Sequence, residues 1–74
     1  MAPVQELWRL HRTGVVAYCR LTFTGTEYAL TITHGDDVLT FEHHSDFRGA
    51  YQSADLSRRK HLADGWSGVF PRQS

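Results

Sequence analysis

The chain has 74 residues, of which 41% are hydrophobic, 22% charged and 12% aromatic, and eight basic residues balance eight acidic ones. That is one small domain of ordinary globular composition. It excludes a two-domain enzyme, a disordered tail, a collagen-like repeat and a spanning helix, because the longest apolar run, residues 15–19, is far short of the roughly 20 residues a bilayer requires.

The first forty-odd residues alternate with period two. Four runs rich in Val, Thr, Tyr, Phe and Trp predict strands over residues 4–12, 15–23, 28–34 and 38–43. Thr13-Gly14 suits a two-residue hairpin, residues 24–27 a four-residue loop, and Gly35-Asp36-Asp37 a third reversal. Loops this short cannot carry parallel crossovers, so the sheet is expected to be an antiparallel meander. With Arg12 opposite Val15, Phe23 opposite Tyr28 and His34 opposite Asp37, one face collects Trp8, Leu10, Ala17, Cys19, Leu21, Phe23, Tyr28, Leu30, Ile32, Leu39 and Phe41. The other collects Leu7, Arg9, His11, Val16, Tyr18, Arg20, Thr22, Ala29, Thr31, Thr33, Val38, Thr40 and Glu42. A one-residue slip would turn a whole strand over and mix these sets, so the pattern selects this register.

After His44 the period changes. Ser45 or Asp46 can cap a helix, and Phe47, Ala50, Tyr51, Ala54, Arg58, His61 and Leu62 recur at spacings of three or four. Gly49 and the outward Leu56 interrupt that pattern, so the helix starts near Asp46 or near Ser53. Asp55 and Arg59 form an i,i+4 pair, and the cations of residues 58–61 favour the C-terminal end of the helix dipole. Gly65 reads as the residue just past the helix, with Trp66 folding back on Leu62. The expected fold class is α+β: a four-stranded antiparallel β-meander followed by one C-terminal helix on one sheet face (ββββα), a single domain over residues 1–66. Residues 67–74 are expected to form an extended or flexible tail, with Phe70 as an anchor.

One cysteine, Cys19, excludes an internal disulfide, and its place on the apolar side predicts a small buried hydrophobe. The leading Met1-Ala2-Pro3-Val4 has neither a basic region nor a hydrophobic stretch, which predicts no secretory signal and a cytoplasmic location. The five histidines fall on different faces or ends of this register, so no metal site is expected. Asp36-Asp37 reads as a turn. No phosphate loop, nucleophile elbow or zinc-protease motif occurs. One helix on one sheet also leaves little room for a cleft of ~300 Å³. A catalytic site and a cofactor are therefore not expected, and the chain reads as a non-enzyme.

The uncovered face is the candidate surface. Arg9 lies opposite Tyr18, Arg20 follows on the same strand, and His11 continues the row. Tyrosine and arginine together are the composition of interface hot spots, and the same groups could stack bases. The expected function is a small protein-binding module, accessory, regulatory or inhibitory, of microbial or phage origin. It would act through Arg9, His11, Tyr18 and Arg20, or as a homodimer, which the absence of net charge favours. The layout resembles the repeat unit of the PUR, positive-cofactor-4-like and whirly single-stranded nucleic-acid-binding proteins. That resemblance implies paired copies and binding on the sheet surface, and it carries over no individual residue. Nucleic acid is disfavoured by the zero net charge. The layout is also similar to that of small bacterial and phage proteins that bind and regulate another protein.

Overall fold

The computed structural model describes residues 4–69. Strands β1 (Val4–Arg12), β2 (Val15–Phe23), β3 (Tyr28–His34) and β4 (Asp37–His44) precede one helix, α1 (Phe47–Ala63). The strands form a single antiparallel sheet in the order β1-β2-β3-β4. In the first hairpin Thr13 and Gly14 both have positive φ, the geometry that matches the twist of the flanking strands. Arg12 faces Val15, Phe23 faces Tyr28 and His34 faces Asp37, as the hydrophobic pattern requires.

The helix side of the sheet carries the core: Trp8, Leu10, Ala17, Cys19, Leu21, Leu30 and Ile32 pack with Ala50, Ala54 and Trp66. The register shifts on both outer strands, and each shift corrects the straight alternation. In β1 the shift falls at Leu7, between Glu6 and Trp8, so Leu7 packs against the core and not on the open face. In β4 it follows Val38. Thr33 still faces Val38, but Ile32 faces Thr40, Thr31 faces Phe41, and Leu30 faces Glu42. An extra residue in one strand reverses the facing of everything after it. Thr40, Glu42 and His44 therefore turn toward the helix, whereas Phe41 and His43 turn to the open face. Leu39, Phe41 and the rim residue Phe23 are all exposed, although period two alone predicts them buried.

The helix starts at the earlier of the two expected positions. Asp46 is the N-cap, and its carboxylate accepts from the Gly49 amide at 2.7 Å. Gly49 lies where an added Cβ would meet Asp46 Oδ1 at 3.2 Å, so it leaves room for this cap. The buried stripe is narrower than expected: Ala50, Ala54 and His61 are buried, whereas Phe47, Tyr51 and Leu62 are exposed. Small residues let the helix lie close to the sheet, and the Trp8 indole donates to the Ala54 carbonyl at 2.9 Å. At the other end Gly65 has φ +94, the Trp66 amide bonds the His61 carbonyl (3.0 Å) and the Gly65 amide bonds the Leu62 carbonyl (3.3 Å). This is a Schellman closure. Its aromatic residue rests on His61, with ring centroids 5.5 Å apart. The expected partner, Leu62, stays exposed. The chain then pairs with β1: His11 and Ser67 exchange two backbone hydrogen bonds of 2.9 Å. Phe70 lies outside the described residues.

Candidate functional site

The register makes the open face a lattice. One row runs Arg9, Tyr18, Thr33, Val38; the next runs Glu6, Arg20, Thr31, Phe41; a third runs Val4, Thr22, Ala29, His43. Tyr18 lies between two guanidinium groups. Arg20 is 4.4 Å and Arg9 5.2 Å from its ring centroid, within cation–π range. This contact makes Tyr18 half-buried and not fully exposed. Arg9 also pairs with Glu6 at 3.2 Å, and His43 with Glu27 at 3.0 Å. His11 ends the row as expected, but its ring bonds the Val69 carbonyl, so the returning chain holds it.

The row thus brings Arg9, Tyr18 and Arg20 together, while His11 is engaged by the tail. Straight alternation placed Val38 on this face but missed Phe41 as an apolar neighbour of this stack; Phe41 and Val38 are both prominent, 59% and 63% exposed. Nothing in the residues of β4 announces the bulge, because the unbulged alternation is equally well formed. Glu42 shows what the bulge achieves. Its carboxylate accepts from Ser53 of the helix and from His44, each at 2.7 Å. The Ser53 bond, followed by the His44 bond and charge, lowers the Glu42 pKa against the opposing effect of burial.

A second cluster lies where the β3–β4 end of the sheet meets the end of the helix. The His34 and His61 rings touch, Nε2 to Nε2, at 2.7 Å, and the other nitrogen of His61 bonds the Ser57 carbonyl at 2.7 Å. A carbonyl only accepts, so His61 Nδ1 carries a proton. In the neutral pair His34 Nε2 then donates to the His61 lone pair. Trp8 and Trp66 pack around the pair. Burial first, then the neighbouring His61 and Arg12, lower the His34 pKa, with Asp37 opposing. Both histidines occupy the facing stripes of sheet and helix, a signal in the sequence that would have paired them.

An open cleft of about 520 Å³ lies beside this pair, lined also by Leu39, Lys60, Asp64 and Trp66. Among the described residues no three His, Cys, Asp or Glu side chains converge as a metal site would need. Cys19 is fully buried, and desolvation, with a smaller effect of Glu42, pushes its thiol pKa up to about 12. At neutral pH it is therefore no nucleophile. No helix among the described residues is long and apolar enough to cross a membrane. Searches against protein-family models, curated proteins and solved structures find no match for this chain.

Proposed function

We propose that this protein is a non-enzymatic protein-binding module whose partner docks on the open sheet face. The observation that carries the reading is one continuous surface on which the Arg9–Tyr18–Arg20 stack adjoins exposed Phe41 and Val38. Buried aromatic and arginine anchors beside an apolar patch are the usual centre of a protein interface. Such a surface suits a partner that offers a carboxylate to Arg20 and an apolar side chain to Phe41. A regulatory or inhibitory role in a microbial or phage cytoplasm belongs to the same reading, as does self-association.

The test is affinity capture from the native host with the wild type and with a variant carrying Arg9→Ala, Tyr18→Ala and Arg20→Ala, both checked for folding by circular dichroism. The variant should lose the captured protein; equal capture by the folded variant refutes the assignment. Two aromatic rings and two arginines on one open face also support single-stranded nucleic-acid binding as the alternative. An oligonucleotide titration at ~50 mM salt decides it, because a complex that weakens steeply as salt rises would replace the protein-binding reading.

A further inference from the structure

We propose that the cleft beside His34 and His61 binds a small carboxylic acid with an apolar body, whose carboxylate is held by Lys60 and His34 and whose body lies on Leu39, Ala63 and Trp66. The site is on the helix side of the sheet and is independent of the open face.

The cleft has the size and wall of a ligand site. Its volume is about 520 Å³, and small-molecule sites run from roughly 300 to 1,000 Å³. Leu39, Ala63 and Trp66 supply apolar wall, and Lys60, Asp64 and the two histidines supply the polar groups. Trp66 is fixed in place. His34 packs on it with ring centroids 4.6 Å apart, and the Arg12 guanidinium stands 5.4 Å from its centroid.

Two polar groups at the cleft are uncommitted. Lys60 forms no ion pair among the described residues. Asp64 is taken by Arg12, which donates to its carbonyl at 2.7 Å and its carboxylate at 3.1 Å. His61 spends both ring nitrogens, on His34 and on the Ser57 carbonyl, whereas His34 spends only Nε2. Its Nδ1 has no partner among the described residues. That atom is open to solvent, since Thr33 Oγ1 is the one buried side-chain polar atom left unbonded among them. In the neutral pair Nδ1 is a lone pair. A carboxylate beside it draws a proton onto Nδ1, and the imidazolium keeps its Nε2–H bond to His61. The new N–H and the Lys60 ammonium are then two charge-assisted donors to the carboxylate.

The charges facing His34 select the class of ligand. Burial, His61 of α1 and Arg12 of β1 disfavour charge on its ring, and Asp37 of β4 favours it. Lys60 and Asp64 share the cleft. An anion there offsets the first set, so anion and proton bind together. Asp37 and Asp64 repel a second negative charge, which disfavours a phosphate dianion, and the apolar wall leaves a phosphate without contacts. A neutral amide gives the ammonium no charge to pair with.

Benzoate is the probe, with benzamide and inorganic phosphate as controls. In a heteronuclear NMR titration of the full chain, benzoate should shift the signals of Ala63 and the Trp66 indole saturably, with a Kd of ~1 mM at pH 5.5. Affinity should fall about three- to tenfold by pH 7.5, as His34 gives up the coupled proton. His34→Gln should abolish that pH dependence. Lys60→Gln, an exposed change on the helix, should weaken binding about fivefold at both pH values. Should His34→Gln fail to fold, the wild-type pH dependence and Lys60→Gln decide. No saturable shift, equal binding of benzamide, tighter binding of phosphate, or an affinity indifferent to pH or to Lys60→Gln would each overturn the proposal. So would benzoate shifts confined to Tyr18, Arg20 and Phe41, which would assign the carboxylate to the open face.

Discussion

Acidification should loosen the histidine pair that joins sheet to helix. His34 and His61 meet nitrogen to nitrogen at 2.7 Å, and His61 has already committed its other nitrogen to the Ser57 carbonyl. One proton sits between the rings when both are neutral, and a further proton on each leaves two N–H groups facing each other. The ring centroids are 5.0 Å apart. Two unit charges at that distance repel by about 3 kcal/mol at an effective dielectric of ~20, and by about 1 kcal/mol in bulk water. His34 is half-buried, so the cost lies between those limits. The direction follows from linkage. His34 is held below its ordinary pKa, chiefly by burial, so the unfolded chain binds the proton more readily. Stability is therefore full above the unfolded value of ~6.5 and falls as pH drops through it toward the lower folded value.

Arg12, Lys60 and Asp64 surround the pair, and Asp37 opposes the shift. The assay is therefore a comparison with His34→Gln, whose amide can still donate to His61 but never takes a charge. Urea melts followed by tryptophan fluorescence suit it, since Trp8 and Trp66 pack on the pair. Between about pH 7.5 and pH 5.5 the wild type should lose more stability than His34→Gln by up to about 1.4 kcal/mol, the most that one excluded proton with an unfolded pKa of ~6.5 costs over that range. Each kcal/mol corresponds to a fall in Tm of ~4–8 °C for a domain of this size. Equal losses in the two proteins would refute the repulsion.

Two further predictions concern the scaffold. Cys19 should resist thiol reagents at neutral pH in the folded protein and react at the ordinary rate in denaturant, because its thiolate is suppressed by burial; rapid native labelling would contradict this. Leu30→Ala, at a fully buried position, should cost about 2–5 kcal/mol in denaturant melts, while Leu56→Ala on the exposed helix face should stay within about 0.5 kcal/mol.

Much of the molecule was legible from alternation alone. Turn residues at 13–14, 24–27 and 35–37 cut four strands, and period two placed Trp8, Leu10, Cys19, Leu21, Leu30 and Ile32 on one face. The change of period after His44 marked the helix and Gly65 its end, while starts near Asp46 and near Ser53 both fitted the pattern until the structure placed the cap at Asp46. These are local properties: each follows from the backbone preferences of a few neighbouring residues. The stacking of Arg9, Tyr18 and Arg20 followed as well, because register across a tight hairpin is set by that hairpin.

Tertiary structure decided what depends on residues far apart in the chain. The bulges at Leu7 and near Leu39 come from the outer strands, where a neighbour constrains one side only and an extra residue is accommodated. The second bulge moved Phe41 onto the open face and gave Glu42 a helix hydroxyl to bond. His34 and His61, 27 positions apart, meet because the helix crosses back over the sheet, and Trp66 closes over them. Alternation assigns a residue to a side. Only the packed helix determines which side chains on that side are covered and which stay available to another molecule.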